Sequence, residues 1–267
     1  MSTKRFAVIG DSVSHSLSPL MHTGWFADHE IDATYEALPL RSDDPVAAIR
    51  ALTGFTGVNV TVPHKEAAAR AAARSEGAVA NVLRWEPHGS ISAFNTDGAG
   101  FLDSLDESVP GWRARVKQVF IIGAGGAALG IAEALSPHVS AVEIANRTAP
   151  RAEEVAATIR NGRALPWSEL ERGFADANLI VQTTTLGMSG QPACDWPIAV
   201  CKQNTIIADI VYRPLETDLL RGARMRGLDT VDGLGMLIHQ GARSFELWFG
   251  IKPDAAKARQ RLMAALV

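Results

Sequence analysis

Short β-branched runs alternate along the chain with longer stretches in which apolar positions recur at helical spacing. Phe6–Gly10, Thr34–Leu38, Gly57–Val62 and Val79–Trp85 read as strands. Between them, Ser18-Pro19 opens a helix, with Ser18 as N-cap and proline at the first helical position. Pro45–Leu52 reads as a second helix, and an Ala-rich helix follows from about His64 to Ala73. Pro63 ends the third strand, and Pro87-His88-Gly89 marks a turn. The pattern changes near Pro110-Gly111, after which Val116–Ile122 is almost continuously apolar, as expected at the buried centre of a parallel sheet. Glycines 123, 125 and 126 lead from it into a helix ending near Leu135. Val139–Ala145, Leu179–Gln182 and Thr205–Ile210 follow as strands. Arg151–Arg160, Glu216–Arg226, Met236–Phe249 and Ala255–Leu266 follow as helices. Strand–helix alternation of this kind predicts an α/β fold of βαβ units around mostly parallel sheets, in two lobes that split near residue 100.

Composition narrows the class. The 267 residues are 47% hydrophobic and 21% charged, which excludes a wholly disordered chain. A net charge of −3, from 26 basic and 29 acidic residues, argues against a nucleic-acid partner. Two cysteines, Cys194 and Cys201, are too few for a disulfide framework and point to a reducing, cytoplasmic setting. The first residues lack a signal-peptide apolar region, and no apolar run reaches the ~18 residues of a membrane span. His15, His22 and His64 are too scattered for a metal site, and the cysteines lack a histidine at ligand spacing, so no metal is expected.

The segment Gly123-Ala124-Gly125-Gly126-Ala127-Ala128, between a buried strand and a helix, has the form of a pyrophosphate cradle. Gly123 permits the turn, Gly125 allows close backbone approach, and the helix N-terminus offers free N–H groups and the positive end of its dipole. The alternative is a tight strand–helix turn without a ligand. An NAD site would carry an acidic residue about 20 positions on, for the ribose hydroxyls. Asn146-Arg147-Thr148 stands there instead. A planar guanidinium suits a 2′-phosphate, so the site favours NADP unless Arg147 is simply solvated.

In the first lobe, Ser14-His15-Ser16-Leu17-Ser18-Pro19 gathers hydroxyls before a helix, either as a cap or as a carboxylate site. Asn59 and Thr61 share one face of a strand, and Pro63-His64-Lys65 fills the next turn. Polar groups at these alternate positions could equally face solvent. Asn95-Thr96-Asp97-Gly98 reads as an Asx-type turn.

Taken in order, these segments resemble the shikimate dehydrogenase family over nearly the whole chain. The carrying motifs are Ser16–Pro19, Gly57–Lys65, Asn95–Asp97, Gly123–Ala128, Asn146–Thr148, Thr184–Met188, Asp209–Tyr212 and Asp232–Leu237 with Gln240. The resemblance implies NADPH-dependent reduction of 3-dehydroshikimate to shikimate. It also implies a substrate lobe (1–100), a Rossmann-type NADP lobe (101–235), and C-terminal helices (236–267) returning to the first lobe. Lys65 and Asp97 would be the catalytic pair. Ser16 and Ser18 would hold the substrate carboxylate, and Asn59, Thr61, Asn81, Tyr212 and Gln240 would contact ring hydroxyls or carboxylate. Gly123, Ala124, Gly125, Gly126 and Ala127 would cradle the pyrophosphate. Asn146, Arg147, Thr148 and Arg151 would hold the adenosine phosphate, with Ile210 and Gly233 near the nicotinamide. The partner would be this small-molecule substrate, met in a cleft between lobes by a monomer or homodimer.

Three features depart from the family pattern. Ala78-Val79-Ala80-Asn81-Val82 loses a threonine, the stretch from Lys65 to Asn81 is shortened and lacks an acid, and Gln182 and Arg213 replace commoner residues. They leave quinate or an amino-shikimate as alternative substrates. A non-catalytic NADP-binding sensor is a further alternative. The expected chemistry is metal-free: the cofactor delivers hydride and a lysine ammonium protonates the developing alkoxide.

Overall fold

The computed structural model describes residues 3–192 and 194–266. It divides into two compact units, Met1–Gly100 with Ile238–Val267, and Phe101–Leu237.

The first unit opens with β1 (Lys4–Gly10), α1 (Ser18–Asp28), β2 (Ala33–Pro39), α2 (Pro45–Arg50), β3 (Gly57–Val60) and α3 (Lys65–Ala71). It continues through β4 (Arg74–Ser75), β5 (Val82–Trp85), β6 (Ile91–Phe94) and α4 (Asp97–Ser108), which runs on into the second unit. Its sheet has the order β2-β1-β3-β5-β6-β4. Pairs β1–β2, β1–β3 and β4–β6 are parallel, whereas β3–β5 and β5–β6 are antiparallel. The expected mostly parallel sheet is therefore mixed here, because β5 and β6 form a hairpin rather than a βαβ crossover. The strand expected from Val79 begins only at Val82, and the one expected to reach Val62 ends at Val60.

β1 is buried on both sides. Ala7 and Ile9 pack with Ile49, Val58, Ala68 and Leu83 under α2 and α3. On the other face Phe6 lies 4.8 Å from Trp248 and 5.5 Å from Phe26, ring to ring.

The second unit contains α5 (Trp112–Arg115), β7 (Gln118–Ile122), α6 (Gly126–Leu135), β8 (Ala141–Ala145), α7 (Ala149–Thr158) and β9 (Gly162–Ala164). After these come α8 (Leu170–Asp176), β10 (Leu179–Gln182), β11 (Ile206–Asp209), α9 (Asp218–Met225) and β12 (Asp229–Val231). The order β12-β11-β10-β7-β8-β9 is parallel throughout. Counted from β7, this is the 3-2-1-4-5-6 order of the Rossmann fold, with its switch point between β7 and β10. Val119, Ile121, Val142 and Val181 fill one face, and Phe120, Ile122, Ile180 and Ile207 the other. Burial on both faces is the reason these strands read as unbroken apolar runs.

α10 (Gly233–Phe249) begins in the second unit and ends in the first, and α11 (Ala255–Ala264) completes the first. Arg261 and Lys257 of α11 both pair with Asp28 at the end of α1, and Trp25 Nε1 donates to the Asp254 carbonyl (3.1 Å). Among the described residues, no helix is long and apolar enough to cross a membrane.

Candidate active site

Lys65 and Asp97 lie 32 residues apart, and the β5–β6 hairpin brings them together. The hairpin pairs Val82 with Phe94, and Asn81 N–H extends the ladder by donating to the Phe94 carbonyl (3.0 Å). Asn81 thus stands across from the Asn95-Thr96-Asp97 turn. On its other side, Ala80 N–H donates to the Lys65 carbonyl (2.9 Å), which fixes the first turn of α3 beside the same segment. The expected Asx turn forms, with Asn95 Oδ1 accepting from Asp97 N–H (3.1 Å), and it goes on to open α4.

Lys65 Nζ donates to Asp97 Oδ2, and their side chains are only 11% and 5% exposed. Asn81 Nδ2 reaches Asp97 Oδ1 (2.9 Å), Thr96 Oγ1 (2.9 Å) and Gln240 Oε1 (3.1 Å), while Asn81 Oδ1 accepts from Thr96 N–H (2.7 Å). A buried ion pair is tolerated when further hydrogen bonds fill the remaining lone pairs, and Asn81 does this for Asp97. α10 approaches so closely that a Cβ on Gly100 would collide with the Gln240 backbone.

Asn59 joins the same cluster. Its Oδ1 accepts from the Tyr35 hydroxyl (2.8 Å), and its Nδ2 donates to the Asn81 carbonyl (3.2 Å) and Ser244 Oγ (2.9 Å). Both amide hydrogens are therefore spent within the protein. Thr61 lies just past β3, half-buried, with its methyl against Gly10. At the start of α1 the structure corrects the capping expectation. Leu17, not Ser18, holds the N-cap position, and no side chain caps the helix. Instead Ser16 Oγ accepts from Ser18 N–H (3.2 Å). The Ser18 hydroxyl is left facing Tyr35, whose phenol burial drives well above its ordinary range.

In the second unit, Gly123 follows β7 with φ +112°, and a Cβ there would collide with the Thr183 hydroxyl. Above Gly125, the N-cap of α6, a Cβ would meet nothing, so ligand atoms can approach the backbone. The turn therefore fits a pyrophosphate: open space, free N–H groups of the first helical turn (Gly126, Ala127), and no acidic residue in that turn. Asn146 at the end of β8 donates to the Thr148 carbonyl (3.1 Å), shaping the turn that exposes Arg147. Arg147 makes no hydrogen bond or ion pair among the described residues, while Arg151 meets Glu154 at the surface (3.0 Å). Gly233 is pressed against the Ile210 carbonyl, where no side chain would fit. Tyr212 belongs to this unit, in the loop after β11. Asp209 organises that loop: it accepts from Val211 N–H (3.0 Å) and the Thr217 hydroxyl (2.8 Å), and burial raises its carboxyl to about 6.

Three family models match the chain in sequence order. They are the shikimate dehydrogenase substrate binding domain over residues 8–82, shikimate / quinate 5-dehydrogenase over 106–189, and the shikimate 5'-dehydrogenase C-terminal domain over 233–263. The shikimate dehydrogenase (NADP(+)) of Methylocella silvestris is 42% identical over 98% of this chain and 96% of its own. The chain belongs to the shikimate dehydrogenase family. Among solved structures, the shikimate 5-dehydrogenase of Thermus thermophilus, in complex with NADP(H) and shikimate, is 34% identical. It has a TM-score of 0.86 and covers 98% of this chain and 100% of that one. Quinate dehydrogenase from Corynebacterium glutamicum, in complex with NAD, is 26% identical with a TM-score of 0.88, covering 98% and 99%.

Within this family framework the departures find structural places. Val82 is fully buried in β5 opposite Asn59 and Phe94. Gln182 is fully buried, donating to the Thr184 (3.2 Å) and Leu186 (2.9 Å) carbonyls, so it shapes the loop after β10. Arg213 has a buried Nε without a hydrogen-bond partner among the described residues. Sequence reasoning missed Tyr35, Thr96 and Ser244. Two of them carried a usable signal: Thr96 stands inside the Asn95–Asp97 motif, and Ser244 lies one helical turn after Gln240 on one face of α10.

Proposed function

We propose that this chain catalyses the reversible, NADPH-dependent reduction of 3-dehydroshikimate to shikimate. The observation that carries the reading is the buried Lys65–Asp97 pair, tied through Asn81 to Gln240. Reduction of a ketone to an alcohol consumes one hydride and one proton. When bound, NADPH supplies the hydride. The Lys65 ammonium donates the proton to the carbonyl oxygen, and the Asp97 carboxylate aligns that ammonium and accepts a hydrogen bond from the hydroxyl formed. Ser16 and Ser18 take the substrate carboxylate. Thr61, Asn81, Gln240 and Tyr212 take the ring hydroxyls, with Asn59 framing them. Gly123–Ala127 hold the pyrophosphate, Asn146, Arg147, Thr148 and Arg151 the adenosine phosphate, and Ile210 with Gly233 the nicotinamide end.

The test is the nicotinamide absorbance during turnover. NADPH with 3-dehydroshikimate should react much faster than NADH with 3-dehydroquinate, and the reverse preference would overturn the reading. The likeness to a quinate dehydrogenase gives the second reading, quinate with NAD. Against it stands Arg147, in a turn without an acid to hold the ribose hydroxyls of NAD.

A further inference from the structure

Tyr35 takes no part in the proposed chemistry, yet it completes the hydrogen bonding of that site. It stands on β2, two strands from Asn59, since both strands pair with β1: Tyr35 opposite Phe6 and Asn59 opposite Val8. Its ring is 7% exposed and lies flat on His22, with centroids 4.4 Å apart and planes 2° from parallel. His22 is fully buried, and neither ring nitrogen has a hydrogen-bond partner among the described residues. Burial alone lowers its pKa to about 3, so the platform under Tyr35 is a neutral ring throughout the working range. The stack fixes the plane of the phenol and leaves its hydroxyl beside the Ser18 hydroxyl and aimed at Asn59 Oδ1, 2.8 Å away.

Asn59 then has both amide hydrogens and its carboxamide oxygen engaged. A flip would turn Oδ1 toward the Asn81 carbonyl, oxygen against oxygen, and would take away the acceptor that the Tyr35 hydroxyl uses. The amide held this way ties β3 to two neighbours. One is Ser244, whose hydroxyl donates onward to the Gln240 carbonyl (2.9 Å). The other is the Asn81 backbone, whose side chain meets Gln240 and Asp97. We infer that Tyr35 is a positioning residue: its hydroxyl locks Asn59, and through that amide sets the spacing of Asn81 and Gln240, the pair that receives the substrate. The inference rests on the proposed function for the identity of that substrate.

Tyr35→Phe keeps the ring and its stack and removes one oxygen. Asn59 Oδ1 is then a buried acceptor without a donor, a loss that corresponds to about a tenfold change in binding. The expected result is a KM for shikimate raised about tenfold, with kcat within threefold and KM for NADP within twofold, each roughly. The split follows because Tyr35 touches neither Lys65 nor any residue of the glycine turn. Ser244→Ala cuts the other end of the tie and should raise the same KM. The double variant should be no worse than the poorer single one, because both act through one amide, whereas an effect routed through Ser18 would add to that of Ser244→Ala. A melting curve on each preparation checks folding. A folded Tyr35→Phe enzyme that only melts earlier, with unchanged KM, overturns the inference. So do additive single effects, or an unchanged KM in Ser244→Ala should Tyr35→Phe not fold. Each assay is run with shikimate and with quinate. Wild-type turnover of quinate alone would refute the proposed substrate and leave Tyr35 to be judged on quinate. Turnover of neither would overturn both.

Discussion

Lys65 and Asp97 each cover a charge that the other could not bury alone. Removing one partner of such a pair typically costs about 3–5 kcal/mol, because the survivor is left ionised and desolvated. Lys65→Met should therefore melt earlier as well as turn over more slowly. kcat is expected to fall by roughly 10²–10⁴, the usual worth of a positioned proton donor, with the Kd for NADPH unchanged. A folded Lys65→Met enzyme with wild-type turnover would remove lysine from the chemistry. Asp97→Asn should lower kcat and also raise the KM for shikimate, since Asp97 meets both the ammonium and Asn81. Steady-state kinetics beside NADPH titration separate these outcomes. At this scale the sequence exposed residues whose chemistry is carried by type: a lysine after a strand-ending proline, an aspartate in a turn. It hid Tyr35, because a tyrosine within a strand reads as core. Its partner lies two strands away across β1, a relation no local spacing encodes.

Helix α1 shows how an element can be read correctly while its end is misassigned. Ser18-Pro19 does begin the helix, but Ser18 already lies inside it and Ser16 supplies the hydroxyl that turns back on the backbone. Ser18 is thus free of the capping duty that would otherwise explain it. Replacing Ser16 and Ser18 by Ala should raise KM for shikimate by roughly tenfold or more, the worth of two lost hydrogen bonds to a charged group. The stability cost should stay within the about 1 kcal/mol typical of a lost cap. Unchanged KM with a lowered melting temperature would leave both hydroxyls purely structural. At the β8–α7 turn, Arg147→Ala should weaken NADP by roughly tenfold or more and NAD hardly at all, since only NADP carries the phosphate a guanidinium can pair. Equal losses, measured by titrating both dinucleotides, would reject the assignment. The strands of the second unit were legible because burial on both faces makes them continuously apolar. β5 fell within the expected Val79–Trp85 strand, but its partner β6 and α4 were not legible. Four-residue strands leave little periodicity, and α4 starts Asp97-Gly98-Ala99-Gly100, where helix propensity is poor. Gly100 is there for the close passage of α10, a tertiary requirement overriding a local one.

Over the whole molecule, two buried groups titrate in opposite senses and shape the acid response of stability. His22 has its pKa lowered from 6.5 to about 3 by burial, so below pH 6.5 the unfolded chain binds a proton that the folded chain refuses. Stability is then lost as pH falls, by about 1.4 kcal/mol per unit, or about 2 kcal/mol between neutrality and pH 5. Asp209 has its carboxyl raised from 3.8 to about 6, chiefly by burial, so between those values the folded chain holds a proton that the unfolded chain releases. Its contribution is regained as pH falls through 6, by about 1.4 kcal/mol at pH 5. The two nearly cancel in the wild type. Half-buried carboxylates held below their ordinary range, Asp28 chiefly by Lys257 and Glu86 chiefly by the Ser92 hydroxyl and then Arg84, add an acid loss of their own that is common to every variant compared. His22→Phe removes the first contribution, so its stability should rise relative to wild type on going from pH 7 to pH 5. Asp209→Asn keeps the acceptor for Val211 N–H, and its new amide can donate to the Thr217 hydroxyl. It removes the second contribution, so its stability should fall relative to wild type over the same interval. Urea unfolding of the three proteins at pH 7 and pH 5 reads both signs at once, and variants that shift in the same direction would show that burial of these two groups does not govern the response.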